Sequence, residues 1–284
     1  PLFFLEHNLR HPLGVYNLSL GKIFLRFKDV LRELAPVLQL TQNQDSNFDD
    51  SNLLTHTERL LYALMEHMDD CENILKSFYP KGEDLKKQTA FTNFQKASRD
   101  YSNHIGKVVN YLKHQNGRLR SITFFNEHGN CAGYFVEGVG EDGSIGPAPI
   151  IHSGGNTAFS YSRDLRFHLY YLYFVSKSLC DSIDLIRKSE NDLDSAIKTN
   201  AKDIFDVITL IQALPLTVFP DEYEKEFPKI AFENSQDGSL VLILQMKHYP
   251  HGLKPIKPSS KVQILLKGDG VSRSFRLPYW NGRS

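Results

Sequence analysis

The chain has 284 residues, 33 Lys+Arg against 33 Asp+Glu, and a formal net charge of zero. That balance excludes a global basic field for grasping nucleic acid and leaves only a local patch. A hydrophobic share of 41% excludes a disordered chain, which lacks the apolar surface to offset the entropy of folding.

The apolar start Leu2 to Leu5 is interrupted by Glu6, His7 and Arg10, too soon for a membrane span or a signal peptide. The first residue is Pro1, not methionine, so some sequence ahead of it is expected to be missing. Ile23, Phe24, Phe27, Val30, Leu31 and Leu34 recur at helical spacing, and Pro36 is expected to stop that helix. A polar loop over 42–52 follows. Thr55 and Glu58 have capping-box spacing ahead of a stripe from Leu61 to Phe78. A third helix is expected over 83–114, with Phe91, Phe94, Tyr101, Ile105, Val108 and Leu112 facing inward and Gly117 ending it.

The period then changes to two. Segments 120–125 and 132–137 form a predicted β-hairpin. After a Gly- and Pro-containing stretch, a helix over 163–188 is apolar nearly all round and is expected to be buried. Another helix is expected over 192–214. Strand pairs 229–233 with 240–246, and 261–267 with 271–277, flank glycine turns. Helices first and strands afterwards predict an α+β protein. The expected division is a helical domain over 1–117, a hairpin plus helical hairpin over 118–215 packed on it, and a small antiparallel β module over 216–284.

Cys71, Cys131 and Cys180 are odd in number and widely spaced, which excludes a disulfide framework or a four-cysteine zinc site. Their apolar neighbours predict buried, reduced thiols and a soluble, cytoplasmic protein. The pairs His7/His11 and His248/His251 lack a third ligand nearby, so no metal is expected. Gly138, Gly140 and Gly143 spell GxGxxG, but Pro147 and Pro149 follow where a dinucleotide loop must open a helix. It reads as a turn, with no cofactor. His152 precedes Ser153, Gly154 and Gly155, a glycine loop.

The segment 96–120 carries Lys96, Arg99, Lys107, Lys113, Arg118 and Arg120 against one acid, Asp100. His104, Lys107, Tyr111 and His114 share the helix side opposite the apolar residues. The expected polyanion-binding set is Lys107, Tyr111, Lys113, His114, Arg118 and Arg120, contacting the phosphates of RNA, DNA or another polyanion.

Arg99 to His104 and Arg163 to His168 both fit R-x4-H, with aspartate after the arginine. The pattern resembles the motif of the HEPN superfamily, helical domains that often cut RNA without a metal. The resemblance spans six residues at a time. It implies that Arg99, His104, Arg163 and His168 are catalytic: histidine moves the proton of the ribose 2′-hydroxyl and arginine holds the scissile phosphate, usually across a dimer. The leading expectation is a binding protein. The alternatives are such a ribonuclease and a protein-interaction subunit, a homodimer or part of a larger assembly.

Overall fold

The computed structural model describes residues 2–40, 49–125, 130–187, 201–234, 240–247, 254–255, 261–264 and 274–280. Most of the polar loop over 42–52, the turns at 126–129 and 237–238, the helix start at 192, the loop holding His248 and His251, and the 268–270 turn fall outside them.

In chain order the described elements are α1 (Pro12–Gln39), α2 (Ser51–Lys76), α3 (Thr89–His114), β1 (Arg118–Phe125), β2 (Cys131–Val139), β3 (Ile145–Pro147), β4 (Phe159–Ser160), α4 (Tyr161–Arg187), α5 (Ala201–Gln212), β5 (Thr217–Val218), β6 (Phe227–Asn234), β7 (Leu240–Lys247), β8 (Lys254–Pro255) and β9 (Lys261–Ile264). This is an α+β fold: three helices lead, two more follow strands β1–β4, and an antiparallel pair, β6 and β7, comes late in the chain.

Helix α1 begins at Pro12, whose ring presets the φ that a first helical position needs, while His11 outside it is extended. Pro36 does not stop the helix. It sits in the last turn, and burial of Leu34 and Val37 in the core offsets its missing N–H bond. Helix α2 starts at Ser51, four residues ahead of the expected cap. The Asp49 carboxylate accepts the Ser51 N–H at 3.1 Å. Thr57 lies inside the helix, donating to the Leu53 carbonyl at 2.8 Å and meeting the Tyr161 hydroxyl at 2.9 Å. Helix α3 starts at Thr89, later than expected, after a short 3-10 turn at Leu85–Lys87.

Strands β1 and β2 pair antiparallel from Arg118↔Glu137 to Phe124↔Cys131, and the sheet order is β3-β2-β1-β9 with β4 on β2. Alternation sorts β2 cleanly. Ala132, Tyr134 and Val136 join the main core with the helices, while Cys131 and Phe135 join a smaller cluster with Ile122, Phe124, Ala158 and Phe219. Cys71 and Cys131 are buried as expected, but Cys180 is exposed because it lies on the outer side of α4. No described helix is long and apolar enough to cross a membrane.

Helix α4 is buried on one side only. Leu165, Leu169, Leu172, Val175 and Leu179 enter the core, whereas Phe174 is 39% and Leu185 44% exposed. The helix is buried as expected, but on one side: its phenylalanines and tyrosines extend the apolar pattern onto a face that solvent reaches.

Candidate functional site

Helices α3 and α4 pack side by side, with Tyr101 level with Tyr171 and His104 level with Phe167 and His168, so they run antiparallel. Tyr101 stacks on Tyr171 with ring centroids 4.8 Å apart and planes 3° off parallel. The His104 ring meets Phe167 edge-on at 5.3 Å and lies 6.4 Å from His168. The two histidines of the R-x4-H segments are thus neighbours within one chain.

Behind His104 lies a buried polar network. Tyr134 donates to Asp164 Oδ2 at 2.7 Å, and His168 Nε2 stands 3.4 Å from the same oxygen. His168 Nδ1 meets the Tyr101 hydroxyl at 3.1 Å. His168 Nε2 faces the carboxylate. That approach is electrostatic, too poorly aligned for a hydrogen bond, and among the described residues Nε2 has no other hydrogen-bond partner. Burial pushes Asp164 up, but His168, Tyr134 and His104 together hold it below the usual carboxylate range. Burial, and then the His168 ring, lower His104 to about 4, so it is a neutral imidazole at neutral pH. His152 completes the group. Its Nε2 accepts the Val136 N–H at 2.9 Å, and burial lowers it to about 3.

In front of His104 the surface opens into a cleft of about 250 Å³, lined by Asp100, Asn103, His104, Lys107 and Val108 of α3 and by Ile150 and Ile151 after β3. Its lining mixes polar and apolar side chains. Asn103 and the neutral His104 can donate or accept a hydrogen bond, Lys107 supplies a positive charge, and Asp100 a negative one.

His104 and Lys107, both singled out by spacing, line the cleft. His168 is buried behind it, 1% exposed. Arg163 lies on the α4 side, its guanidinium 5.5 Å from the Phe167 ring and its Nε donating to the Glu226 carbonyl at 2.9 Å. Arg99 is exposed on α3 but does not line the cleft. Lys113 and His114 are exposed, with the Lys113 ammonium 4.9 Å from the Tyr62 ring. Tyr111 is half-buried and does not share their exposure. Its ring and hydroxyl fill the space that side chains at Gly117 and Gly138 would take. Arg120 is a correction: it is only 4% exposed. Arg118 and Arg120 are on β1, where alternation puts both on one face, and the Glu137 carboxylate across the pair accepts from Arg118 Nε at 2.6 Å and from Arg120 Nε at 2.5 Å. The two guanidiniums share that single carboxylate.

The residues around Gly138 form a hairpin turn. Strand β2 ends at Val139, Gly143 takes φ +76°, and β3 returns antiparallel with Glu137 opposite Pro147. Among the described residues no group of three His, Cys, Asp or Glu side chains is placed to hold a metal ion. Sequence reasoning gives Asp164, Tyr134 and His152 no role. Asp164 stands inside an R-x4-H segment, but only the fold brings Tyr134 and His152 to it.

Compared with protein-family models, curated proteins and solved structures, the chain has no match in any of the three.

Proposed function

We propose that the chain binds a phosphate-bearing polyanion along the outer face of α3, with the cleft at His104 and Lys107 as its deepest point. One observation carries this reading: Lys107 and a neutral imidazole stand one turn apart on the rim of the same cleft. His114 follows Lys107 by two turns, about 10 Å along the axis, and Lys113 is exposed further round the helix toward α2, its ammonium 4.9 Å from the Tyr62 ring. An ammonium gives phosphate a non-directional charge interaction, and neutral His104 and Asn103 add hydrogen bonds without a repelling charge. Asp100 sits in the same cleft and directs the phosphates toward the Lys107 side. Arg118 and Arg120 share the single Glu137 carboxylate, and of the two only Arg118 is exposed to a phosphate.

The test is a fluorescence-anisotropy titration of a labelled oligonucleotide with wild-type protein and Lys107→Gln/Lys113→Gln. The variant is expected to keep its melting temperature, because both side chains are exposed, and to bind at least tenfold more weakly at low salt. Equal affinities would refute the reading.

A metal-independent ribonuclease is the second reading, favoured by the closeness of the His104 and His168 rings. His104 would take the proton of a ribose 2′-hydroxyl in the cleft, and the Asp164 carboxylate would stabilise the charged ring electrostatically. His104→Ala would then abolish cleavage of an RNA strand that wild type cuts, while phosphate binding persists.

A further inference from the structure

We infer that the polyanion is a single-stranded nucleic acid whose bases stack on an aromatic ladder of α4, beside the cationic face of α3; this rests on the polyanion reading above. The ladder starts at the cleft. The His104 ring meets Phe167 at 5.3 Å, Phe167 meets Tyr171 at 4.7 Å, and Tyr171 meets Tyr170 at 5.3 Å and Phe174 at 6.1 Å. Tyr170 and Phe174 lie nearly parallel, 10° apart, with centroids 6.4 Å apart.

These rings occupy α4 positions i, i+3, i+4 and i+7, one face of a helix. That face is not the core face, which Leu165, Leu169, Leu172 and Val175 form. Phe167 and Tyr171 are half-buried against the core edge, with Arg163 over the Phe167 ring and Tyr101 stacked on one face of Tyr171, so Tyr170, half-buried, and Phe174, 39% exposed, are the rings that present faces to a base. From Tyr170 to Phe174 the helix rises about 6 Å, the rise of about two stacked bases.

Charge identifies the occupant. An apolar protein partner gains nothing from cations beside the rings, whereas a nucleic-acid strand needs both. Lys107 stands at the cleft end, Arg163 lies over Phe167, and Lys96 and Arg99 are exposed on the adjoining α3. Asp100 and Glu226 are the acids nearest this surface, Asp100 in the cleft and Glu226 joined to Arg163 through its carbonyl. At the far end the Lys177–Asp181 ion pair, 3.0 Å, marks the return to a charge-balanced surface. A duplex keeps its bases inside and offers no faces to the rings, so the ladder selects single strands.

The experiment compares three probes of one length by anisotropy: an oligothymidine, its duplex, and an abasic deoxyribose-phosphate strand. Wild type is expected to bind oligothymidine at least tenfold tighter than the abasic strand. Phe174→Ala and Tyr170→Ala should each lose roughly five- to hundredfold for oligothymidine and leave the abasic strand unchanged. Phe174→Leu keeps the apolar volume and removes the ring. It should fold with an unchanged melting temperature and show the same selective loss. Equal binding of oligothymidine and abasic strand, or ring variants that bind oligothymidine like wild type, would overturn the inference while the polyanion reading stands. Failure of all three probes to bind would overturn both.

Discussion

Leu172→Asp is expected to yield no cooperatively folded protein. Leu172 is 2% exposed on the core side of α4, in the cluster that joins the four long helices to the sheet. Leu172→Ala would cost about 2–5 kcal/mol as a cavity. An unpaired carboxylate adds several kcal/mol of desolvation, against a total stability of about 5–15 kcal/mol for an ordinary protein. Phe174→Asp is the matched control. It places the same charge two residues on, where the side chain meets solvent, and should fold. Circular dichroism melts of both variants check the pair. A two-state transition for Leu172→Asp near the wild-type midpoint would contradict the assigned core face.

Acid lability is the second large effect. Burial lowers His67 and His104 to about 4 and His152 to about 3. The unfolded chain takes up these protons near pH 6.5, where the folded chain refuses them. Each ring therefore contributes stability that is complete above about pH 6.5 and is lost as pH falls through its folded value. The loss is about 3 kcal/mol for a shift of this size. Glu222 works the other way. Burial raises it to about 7, so its contribution is complete below its unfolded value and is lost as pH rises. Three groups outweigh one. The melting midpoint is expected to fall by on the order of 10 °C or more between about pH 7 and about pH 4.5. A midpoint that holds steady or rises over that interval would show that the three rings are wetter than the structure makes them.

Most of the fold is legible in the sequence wherever one period runs uninterrupted. The inward residues of α3 are all buried, and β6 and β7 extend only slightly beyond the expected 229–233 and 240–246. Boundaries are less legible where tertiary packing overrides a local signal. Pro36 is carried into α1 by the burial around it, and the Thr55–Glu58 spacing lies inside α2, which already starts at Ser51 with its N–H on the Asp49 carboxylate.

The candidate site is legible by half. Spacing alone puts His104 and Lys107 on one side of α3, and both line the cleft. Charge groups Arg118 and Arg120 with them, although α3 has already ended at His114, with Asn116 at φ +52° taking the left-handed position rather than the expected Gly117. A sum over a segment ignores that β1 turns those side chains toward Glu137. Spacing makes His104 solvent-facing, yet α4 and the residues after β3 cover most of its ring. The network of Asp164, Tyr134, His152 and Tyr101 is a product of topology: α3, α4, β2 and the loop after β3 each give one member, and no local pattern in the chain links them. The aromatic ladder has a signal, the recurrence of Phe167, Tyr170, Tyr171 and Phe174, but its period matches that of a buried helix.

The central claim is that lysines on α3 hold phosphates, and its most direct measurement is the salt dependence of binding. Affinity for a single-stranded oligonucleotide is measured at several salt concentrations for wild type and for Lys107→Gln/Lys113→Gln. Counterion release predicts that the logarithm of the association constant falls linearly with the logarithm of salt for wild type. In the double variant the slope should be shallower by about 0.7 for each lysine–phosphate pairing removed, about 1.4 for the two together. A wild-type affinity indifferent to salt, or identical slopes for the two proteins, would contradict it.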